Sequence, residues 1–507
     1  MDSIRKYFDL NNEDCLQRLN EQSCYDLNFD ELFDYANYTH SVIGSQYLYN
    51  MMRCIPKENK VEAYEPWLQR YSQDEEVKTK FGSVLTKLNK SDAYDIYPLI
   101  EQDYIPYSKK AIHILRICQL LPALFLALYI ITHIPLFIIL TTVGFITNGI
   151  IHYQAKNISF LYAGSMPWLY SMIASAEKLW GIPLGKEVDP KIGETIKKVN
   201  RLKRKLSVFR FDAKLEGDLA VVFWAISELF KIFFLIDPLK LNSVFVLIRR
   251  DRESLRELFS FVGLVDSLQS IIALRESAPY YCIPQFKEEG GLTAEALYHP
   301  LIADCVPNSF SSNMQSFLVL GSNMSGKTSF IRTVGVNVLM AQTLNTAFAH
   351  QLALTHQKVY TSISMDDSLT EGQSYYLREV LRMKLILSET KTGHNLILLD
   401  ELFKGTNTIE RIAGAKAVLD YLASNEKNII LVATHDVELI ELLSKRYTPI
   451  YFTENIEEEE LSFNYKIDYE HNPEKNAIRI LGLYGLPIEV VQDAMEISEQ
   501  LTGWSKQ

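Results

Sequence analysis

No Lys, Arg, Asp or Glu occurs between Ile117 and Ala155. One membrane span needs roughly 20 apolar residues at about 1.5 Å rise per residue, and this run nearly suffices for two. Other features are scarce as well. The six cysteines (Cys15, Cys24, Cys54, Cys118, Cys282 and Cys305) form no C-x-x-C pair. That spacing indicates neither a zinc site nor a disulfide frame and suits a reducing cytosol. The 507 residues hold no repeat and no low-complexity tract, and their length leaves room for two or three folding units. Positive charge is in deficit: 51 Lys and Arg stand against 62 Asp and Glu, a net −11. Such a balance disfavours nonspecific attraction to nucleic-acid phosphates. The start, "MDSIRKYFDLNNED", is polar and acidic with no cleavable signal pattern, so the apolar run itself would have to direct insertion.

Within that run, Thr132-His133-Ile134-Pro135 interrupts the apolar pattern. Proline removes a donor and biases its predecessor out of the helix. A hairpin of two short transmembrane helices is therefore expected over residues 117–152, inside a segment 111–155. Lys109, Lys110 and Arg116 flank one end and Lys156 the other, which puts both flanks on the cytoplasmic side of the cell membrane. The competing reading is a pair of core helices in a soluble protein, but core helices rarely run so long without a charge at their edges. "LAVVFWAISELFKIFFLI" (Leu219 to Ile236) carries Glu228 and Lys231 one turn apart and reads as an amphipathic core or lever helix. "NIEEEEL" (Asn455 to Leu461) reads as a solvated loop.

What the chain does have begins with "LVLGSNMSGKTSFIR", Leu318 to Arg332. An apolar run ending at Leu320 reads as a buried strand, and Phe330, Ile331, Val334, Val338 and Leu339 follow at helical spacing. Between them lies Gly321-x-x-x-x-Gly326-Lys327-Thr328. Strand, glycine-bounded loop and helix is the context in which a Walker A match carries weight. Loop N–H groups and a helix N-terminus converge there on phosphates, with a lysine for the β- and γ-phosphates and a hydroxyl for Mg²⁺. A second apolar run, "NLILLDELFKGTNT", ends in Asp400 and Glu401, an acidic pair at a buried strand's C-terminal end. Asp400 suits the Mg²⁺ shell, and Glu401 suits polarisation of a water attacking the γ-phosphate. A third run, "NIILVATHD", delivers His435, whose imidazole can bond that phosphate or that water.

These pieces resemble the ATPase domain of the MutS mismatch-repair family, a branch of the ABC-type ATPases, over residues 291–500. The family loop G-P-N-M-G-G-K-S-T corresponds to Gly321, Ser322, Asn323, Met324, Ser325, Gly326, Lys327, Thr328 and Ser329. The resemblance implies that all nine contact ATP, that Thr328 and Asp400 hold Mg²⁺, and that Lys327, Glu401 and His435 act in hydrolysis. Asp400 to Thr408 resembles the family's D-E-x-x-x-G-T-x-T, and Thr434-His435 its T-H motif. "DDSLTEGQSYYLREV" resembles the stretch that gives a serine to the partner subunit's nucleotide, which implies a homodimer with Ser374 acting in trans. "LYHPLIADCVPNSF" resembles the strand leading toward the adenine, and "RILGLYGLPIEVVQDAMEI" a C-terminal helical segment. Ser325 stands where the family has Gly, and Tyr375-Tyr376 where it has Thr-Phe.

"NFDELFDYANYTHSVIGSQYLYNMM" (Asn28 to Met52) resembles the opening of the family's helical core, L-F-x-x-L-x-x-T-x-T-x-x-G. That alignment assigns Phe29-Asp30-Glu31 to a helix rather than to the family's mismatch wedge, and leaves the mismatch-recognition and connector domains no room. The long helix "ELFSFVGLVDSLQSIIALRESAPYYCIPQF" resembles the return from the levers to the ATPase.

The fold expected is mixed: an α-helical core and lever region (1–110 and 156–290) interrupted by the hairpin (111–155), then an α/β P-loop ATPase domain (291–507). One basic stretch, "KKVNRLKRK", sets Lys197, Lys198, Arg201, Arg204 and Lys205 on a broad helical face. It suits DNA, anionic headgroups, or plain solvation. The favoured expectation is a membrane-anchored, dimeric ATPase driving a DNA-binding or repair-related activity. The alternative is a mechanochemical membrane module acting on a protein partner without DNA.

Overall fold

A computed structural model describes all residues except 104–106, 208–227, 313–314, 323, 365–374, 458–459, 471–477, 479–480, 482–484 and 505–507. The chain divides into two compact units. Unit one comprises residues 1–12, 37–50 and 64–272; unit two comprises 13–36, 51–63 and 273–507.

The described secondary structure of unit one is helical. Helix α1 (Lys109–Thr132) begins at Ser108, whose hydroxyl accepts from the N–H of Ala111 at 3.1 Å. It ends at His133, in the left-handed region at φ 55°. Helix α2 (Pro135–Ala163) then starts on Pro135, where the missing N–H costs nothing. The two form a hairpin with its turn where the sequence places it. Pro122 lies inside α1, where a proline deprives the carbonyl four residues earlier of its donor. That carbonyl belongs to Cys118, and the Asn148 amide of α2 donates to it at 3.1 Å. Gly144 sits against the Pro122 ring: a Cβ there would lie 3.1 Å from Cγ. Outward-facing residues are apolar and exposed, Ile131 to 76%. Helix α2 continues to Ala163, beyond the hairpin boundary expected at 155, because no breaker follows.

Helix α3 (Ile192–Leu206) buries Ile192, Ile196, Val199, Leu202 and Leu206, and opposes them with the basic face. Helix α4 (Arg252–Ser277) is also long and apolar enough to cross a membrane, yet its most apolar window, at mean hydropathy 1.5 against 2.2 and 1.6 for the hairpin helices, is 78% buried, against 11% and 17% for theirs. Its Asp266 carboxylate is fully buried and accepts from the N–H groups of His40 (2.9 Å) and Ser41 (2.8 Å) and from the Ser41 hydroxyl (2.6 Å). Any Cβ on Gly44 would collide with that carboxylate, at 2.1 Å. The T-x-T-x-x-G pattern, met here as Thr39, Ser41 and Gly44, is thus a cradle for one buried acid.

Unit two is α/β. Its main sheet contains β1 (Ser316–Gly321), β2 (Lys358–Ser362), β3 (Asn395–Asp400), β4 (Asn428–Thr434), β5 (Tyr447–Glu457) and β6 (Glu460–Asp468), ordered β6-β5-β1-β4-β3-β2. The first five strands run parallel and β6 is antiparallel. Strands β1 and β4 are buried throughout, as continuous apolar runs in parallel sheets should be. Within "NIEEEEL", residues 455–457 end β5 and residues 460–461 begin β6, with Ile456 opposite Leu461, so strand pairing takes part of the loop expected there; Glu458 and Glu459 lie outside the described residues. Helices α5 (Lys327–Leu344), α6 (Tyr375–Glu389) and α7 (Thr408–Leu422) follow β1, β2 and β3. A separate four-stranded sheet joins Gln285–Phe286, Gln351–Leu354, Thr293–Leu297 and Asn308–Ser311.

Phe29 lies in the helix Phe29–Ala36, as expected, and is 1% exposed. Asp26, fully buried, accepts from the N–H groups of Ile363 (3.1 Å) and Ser364 (2.9 Å), the Thr361 hydroxyl (2.7 Å) and Arg382 of α6 (3.0 Å). It thereby closes the end of β2.

Candidate functional site

Strand β1 delivers the chain to Gly321, where a Cβ would lie 2.6 Å from the Phe452 carbonyl oxygen and 2.7 Å from Ser325 Oγ. Only glycine lets the backbone leave the sheet there. Gly326 opens α5 at φ 103°, a conformation glycine adopts without penalty. Between them, Ser322 donates its hydroxyl to Glu454 of β5, and Met324 is exposed at φ 76°. Asn323 lies outside the described residues. Ser325 is buried and its hydroxyl donates to the Ser322 carbonyl at 2.9 Å, so the family's glycine is replaced by a side chain that ties the loop to itself.

Lys327 folds back along this loop and donates to the carbonyls of Gly321 (2.8 Å) and Ser322 (2.7 Å). Burial pulls its ammonium down to about 8, against the opposing influence of Asp400 and Glu401. Ser329 occupies the first turn of α5, where its carbonyl accepts from the Thr333 hydroxyl at 2.6 Å.

Sheet register brings the acidic pair alongside. Strand β4 pairs Ala433 with Asp400 on one side and Thr434 with Leu320 on the other. The Thr328 hydroxyl donates to Asp400 Oδ2 at 2.7 Å, while burial raises the Asp400 carboxyl above its ordinary value. Glu401 adopts φ 45°, a strained position for a residue with a Cβ, held by its N–H on the Ala433 carbonyl at 2.9 Å. One carboxylate oxygen lies 2.6 Å from His435 Nε2 and the other 2.9 Å from Lys404 Nζ. His435 foremost, then Lys404, bring Glu401 down to about 2 despite its burial.

A cavity of about 550 Å³ opens on this constellation, within the roughly 300–1,000 Å³ of small-molecule sites. Lys327, Thr328 and Glu401 line its polar part, and Leu297, Ile302, Val306, Phe330, Phe452 and Tyr465 its apolar part. Asn308 fixes the wall by donating to the Tyr465 carbonyl and accepting from the Ile467 N–H, each at 2.9 Å.

The structure therefore gathers Gly321, Ser322, Met324, Ser325, Gly326, Lys327, Thr328, Asp400, Glu401 and His435 into one site, with Ser329 just inside the helix. Ser374 lies outside the described residues. Sequence reasoning missed Glu454, Lys404, Phe452, Tyr465 and Arg411. Lys404 was legible, one turn after Glu401. Arg411 forks onto Asp436 at 3.0 and 2.6 Å and holds the turn beyond His435; no local pattern announces that pairing. The basic face belongs to unit one: Lys197, Lys198, Arg201 and Arg204 are exposed, Lys205 is half-buried and Lys203 pairs with Glu177.

A buried parallel sheet, a glycine-bounded loop capping a helix, and an acidic pair closing the next strand but one define an α/β domain whose strand ends meet at one cavity. Residues 317–502 match the family model described as MutS domain V. The chain is 32% identical over 256 residues to the DNA mismatch repair protein MutS of Aquifex pyrophilus, covering 48% of this chain and 29% of that one. It is 31% identical to the Pseudothermotoga lettingae protein of the same name, covering 49% and 32%. Identity to the Streptococcus agalactiae protein is 28%, covering 51% and 32%. The chain thus spans about a third of the length of these curated relatives. Over that matched part, about half of its length, the chain is similar to these MutS proteins at a divergent level.

Proposed function

We propose that this protein is a membrane-anchored ATPase of the MutS type, working as a homodimer and coupling ATP hydrolysis to a DNA-directed activity. The observation that carries the ATPase reading is the convergence of Lys327, the Thr328–Asp400 pair and the Glu401–His435 pair on one cavity. ATP fits that cavity: the loop from Gly321 to Ser329 and the α5 N-terminus would take the phosphates, and the apolar wall the base. Mg²⁺ fits the hard hydroxyl and carboxylate donors of Thr328 and Asp400, and would draw charge from the phosphates. Lys327 neutralises the phosphates, Glu401 takes the proton of the attacking water, and His435 orients that carboxylate. Ser374 of a second copy would complete the site, by the resemblance of its stretch to the MutS segment.

The exposed apolar surface of α1 and α2 supports anchoring, since a patch of that size is unfavourable in water. DNA as the target is supported by what the relatives are called and by the solvated face of Lys197, Lys198, Arg201 and Arg204. The net charge of −11 favours a second reading, in which the helical unit acts on a protein partner. Crosslinking nucleic acid to the protein in native membranes separates the two. A Lys197/Lys198/Arg201→Glu variant should lose crosslinked DNA if the first reading holds; equal recovery from variant and wild type would refute it.

A further inference from the structure

We infer that His152, Glu228 and Asp237, in unit one, bind one divalent metal ion of the borderline class that takes mixed nitrogen and oxygen donors. Each side chain offers one donor atom, and the three atoms lie within 4.8 Å of one another. His152 is 3% exposed. Its Nε2 lies 3.0 Å from Glu228 Oε1 and its Nδ1 lies 3.8 Å from Asp237 Oδ2. Nδ1 is buried and has no hydrogen-bond partner. A buried ring nitrogen without a partner, aimed at a carboxylate, is a costly arrangement that a bound cation resolves.

The fold builds the cluster from three stretches. His152 comes from α2, one turn after Asn148, whose amide also donates to the Phe233 carbonyl at 3.0 Å. Glu228 comes from the helical stretch that includes Phe233, and Asp237 from the first turn of the helix Ile236–Arg250. Leu235, at φ 45°, breaks the helical course between the two acids and turns both toward the imidazole. Metal–donor bonds of about 2.0–2.2 Å place neighbouring donors roughly 3–4 Å apart. Glu228 and Asp237 face opposite ring nitrogens of His152, so one ion takes only one of the two nitrogens. The three donors, within 4.8 Å of one another, close around it by side-chain rotation. Lys231 Nζ stands 3.8 Å from the other Glu228 oxygen. One imidazole with two carboxylates suits Zn²⁺, Mn²⁺ or Fe²⁺ better than Mg²⁺, which prefers oxygen alone and keeps its water.

The test uses the full chain, purified in detergent without nucleotide, stripped of metal and titrated with Co²⁺. One equivalent should give a visible absorption band that Zn²⁺ displaces. His152→Ala and Asp237→Asn should weaken Co²⁺ binding by about 100-fold or more, and Asp237→Glu, which keeps a donor, should bind with a shifted band. Asp400→Asn should keep the wild-type band, separating this site from the nucleotide site. Zn²⁺ should also raise the melting temperature of wild type but not of Asp237→Asn. The wild-type titration needs no variant to fold. Absence of a stoichiometric band, or a band lost in Asp400→Asn and kept in Asp237→Asn, would overturn the inference.

Discussion

Replacing Glu401 by Gln isolates the chemical step from binding. The carboxylate's two oxygens face His435 Nε2 at 2.6 Å and Lys404 Nζ at 2.9 Å. Gln is isosteric and its carbonyl oxygen can still accept from the imidazole, so the loop keeps its shape. What disappears is the negative charge that takes a proton. Loss of a general base costs about 10²–10⁴ in rate, or about 3–5 kcal/mol at 1.36 kcal/mol per decade. The phosphate cradle is untouched, so ATP affinity at pH 7 should stay within about threefold. Because Glu401 titrates at about 2, it stays ionised across any practical pH range, and wild-type turnover should show no acid limb from this group between pH 5 and 7. The sign follows from linkage: a depressed carboxyl contributes stability present above its ordinary range and lost as pH falls through about 2. In His435→Ala the largest cause of the depression is gone, so a limb should climb toward pH 4. Steady-state phosphate release and fluorescent-nucleotide binding, measured on the same preparations, check both halves. Turnover by Glu401→Gln within threefold of wild type would refute the assignment of Glu401 as base.

Other expectations rest on separate contacts. Lys327 titrates at about 8 before phosphate arrives; phosphate binding favours the charged form, so ATP affinity should fall by up to about tenfold per pH unit above 8, and Lys327→Arg should flatten that slope in a binding assay from pH 7 to 9. Asp26→Ala removes the acceptor of five donors, the Gln22 amide among them, and leaves Arg382 buried beside a void. That should cost about 3–5 kcal/mol and lower the melting temperature by about 6–12 °C, whereas Asp30→Ala, exposed on its helix, should change it little. Mixing Ser374→Arg with Lys327→Ala should restore roughly one working site per heterodimer; full activity of Ser374→Arg alone in phosphate release would exclude a site completed in trans. Wild type should stay in the membrane pellet through carbonate, whereas Leu126→Asp with Ile138→Asp should release it, at about 3 kcal/mol per charge at mid-bilayer.

The site was legible because its chemistry is local in sequence. Loop, acidic pair and histidine each close an apolar run, and parallel strands bring such ends to one edge of a sheet. The walls were not legible. Phe452 and Tyr465 reach the cavity through β5 and β6, strands whose partners cannot be read from their own alternation. Likewise, Asp26 shows no periodicity that would tie it to Ile363 and Ser364, more than half the chain away. The grouping of residues 13–36 with the C-terminal sheet depends on that kind of contact. The acid that Ser41 and Gly44 cradle was equally silent: the motif was visible in the sequence, its partner Asp266 was not.

Hydropathy alone selects three helices among the described residues, Lys110–Thr132, Pro135–Gln154 and Arg252–Ser277, and scarcely separates the last two, at 1.6 and 1.5. The fate of their polar groups does. In α4, Asp266 is satisfied by donors from other segments, which suits a helix enclosed by protein. In the hairpin, the threonine hydroxyls are satisfied within their own helices. The hydroxyls of Thr132, Thr141, Thr142 and Thr147 each donate to the carbonyl one turn back, at 2.7 to 2.9 Å. The carbonyl orphaned by Pro122 receives the Asn148 amide from within the pair. A helix pair facing water has no need for such economy, since solvent would hydrate those groups. One facing lipid does, because nothing outside it can donate or accept. Apolar residues outward, with hydroxyls closed on their own helices, is a pattern that suits a bilayer, and it supports the anchoring proposal alongside the hydropathy that first suggested it.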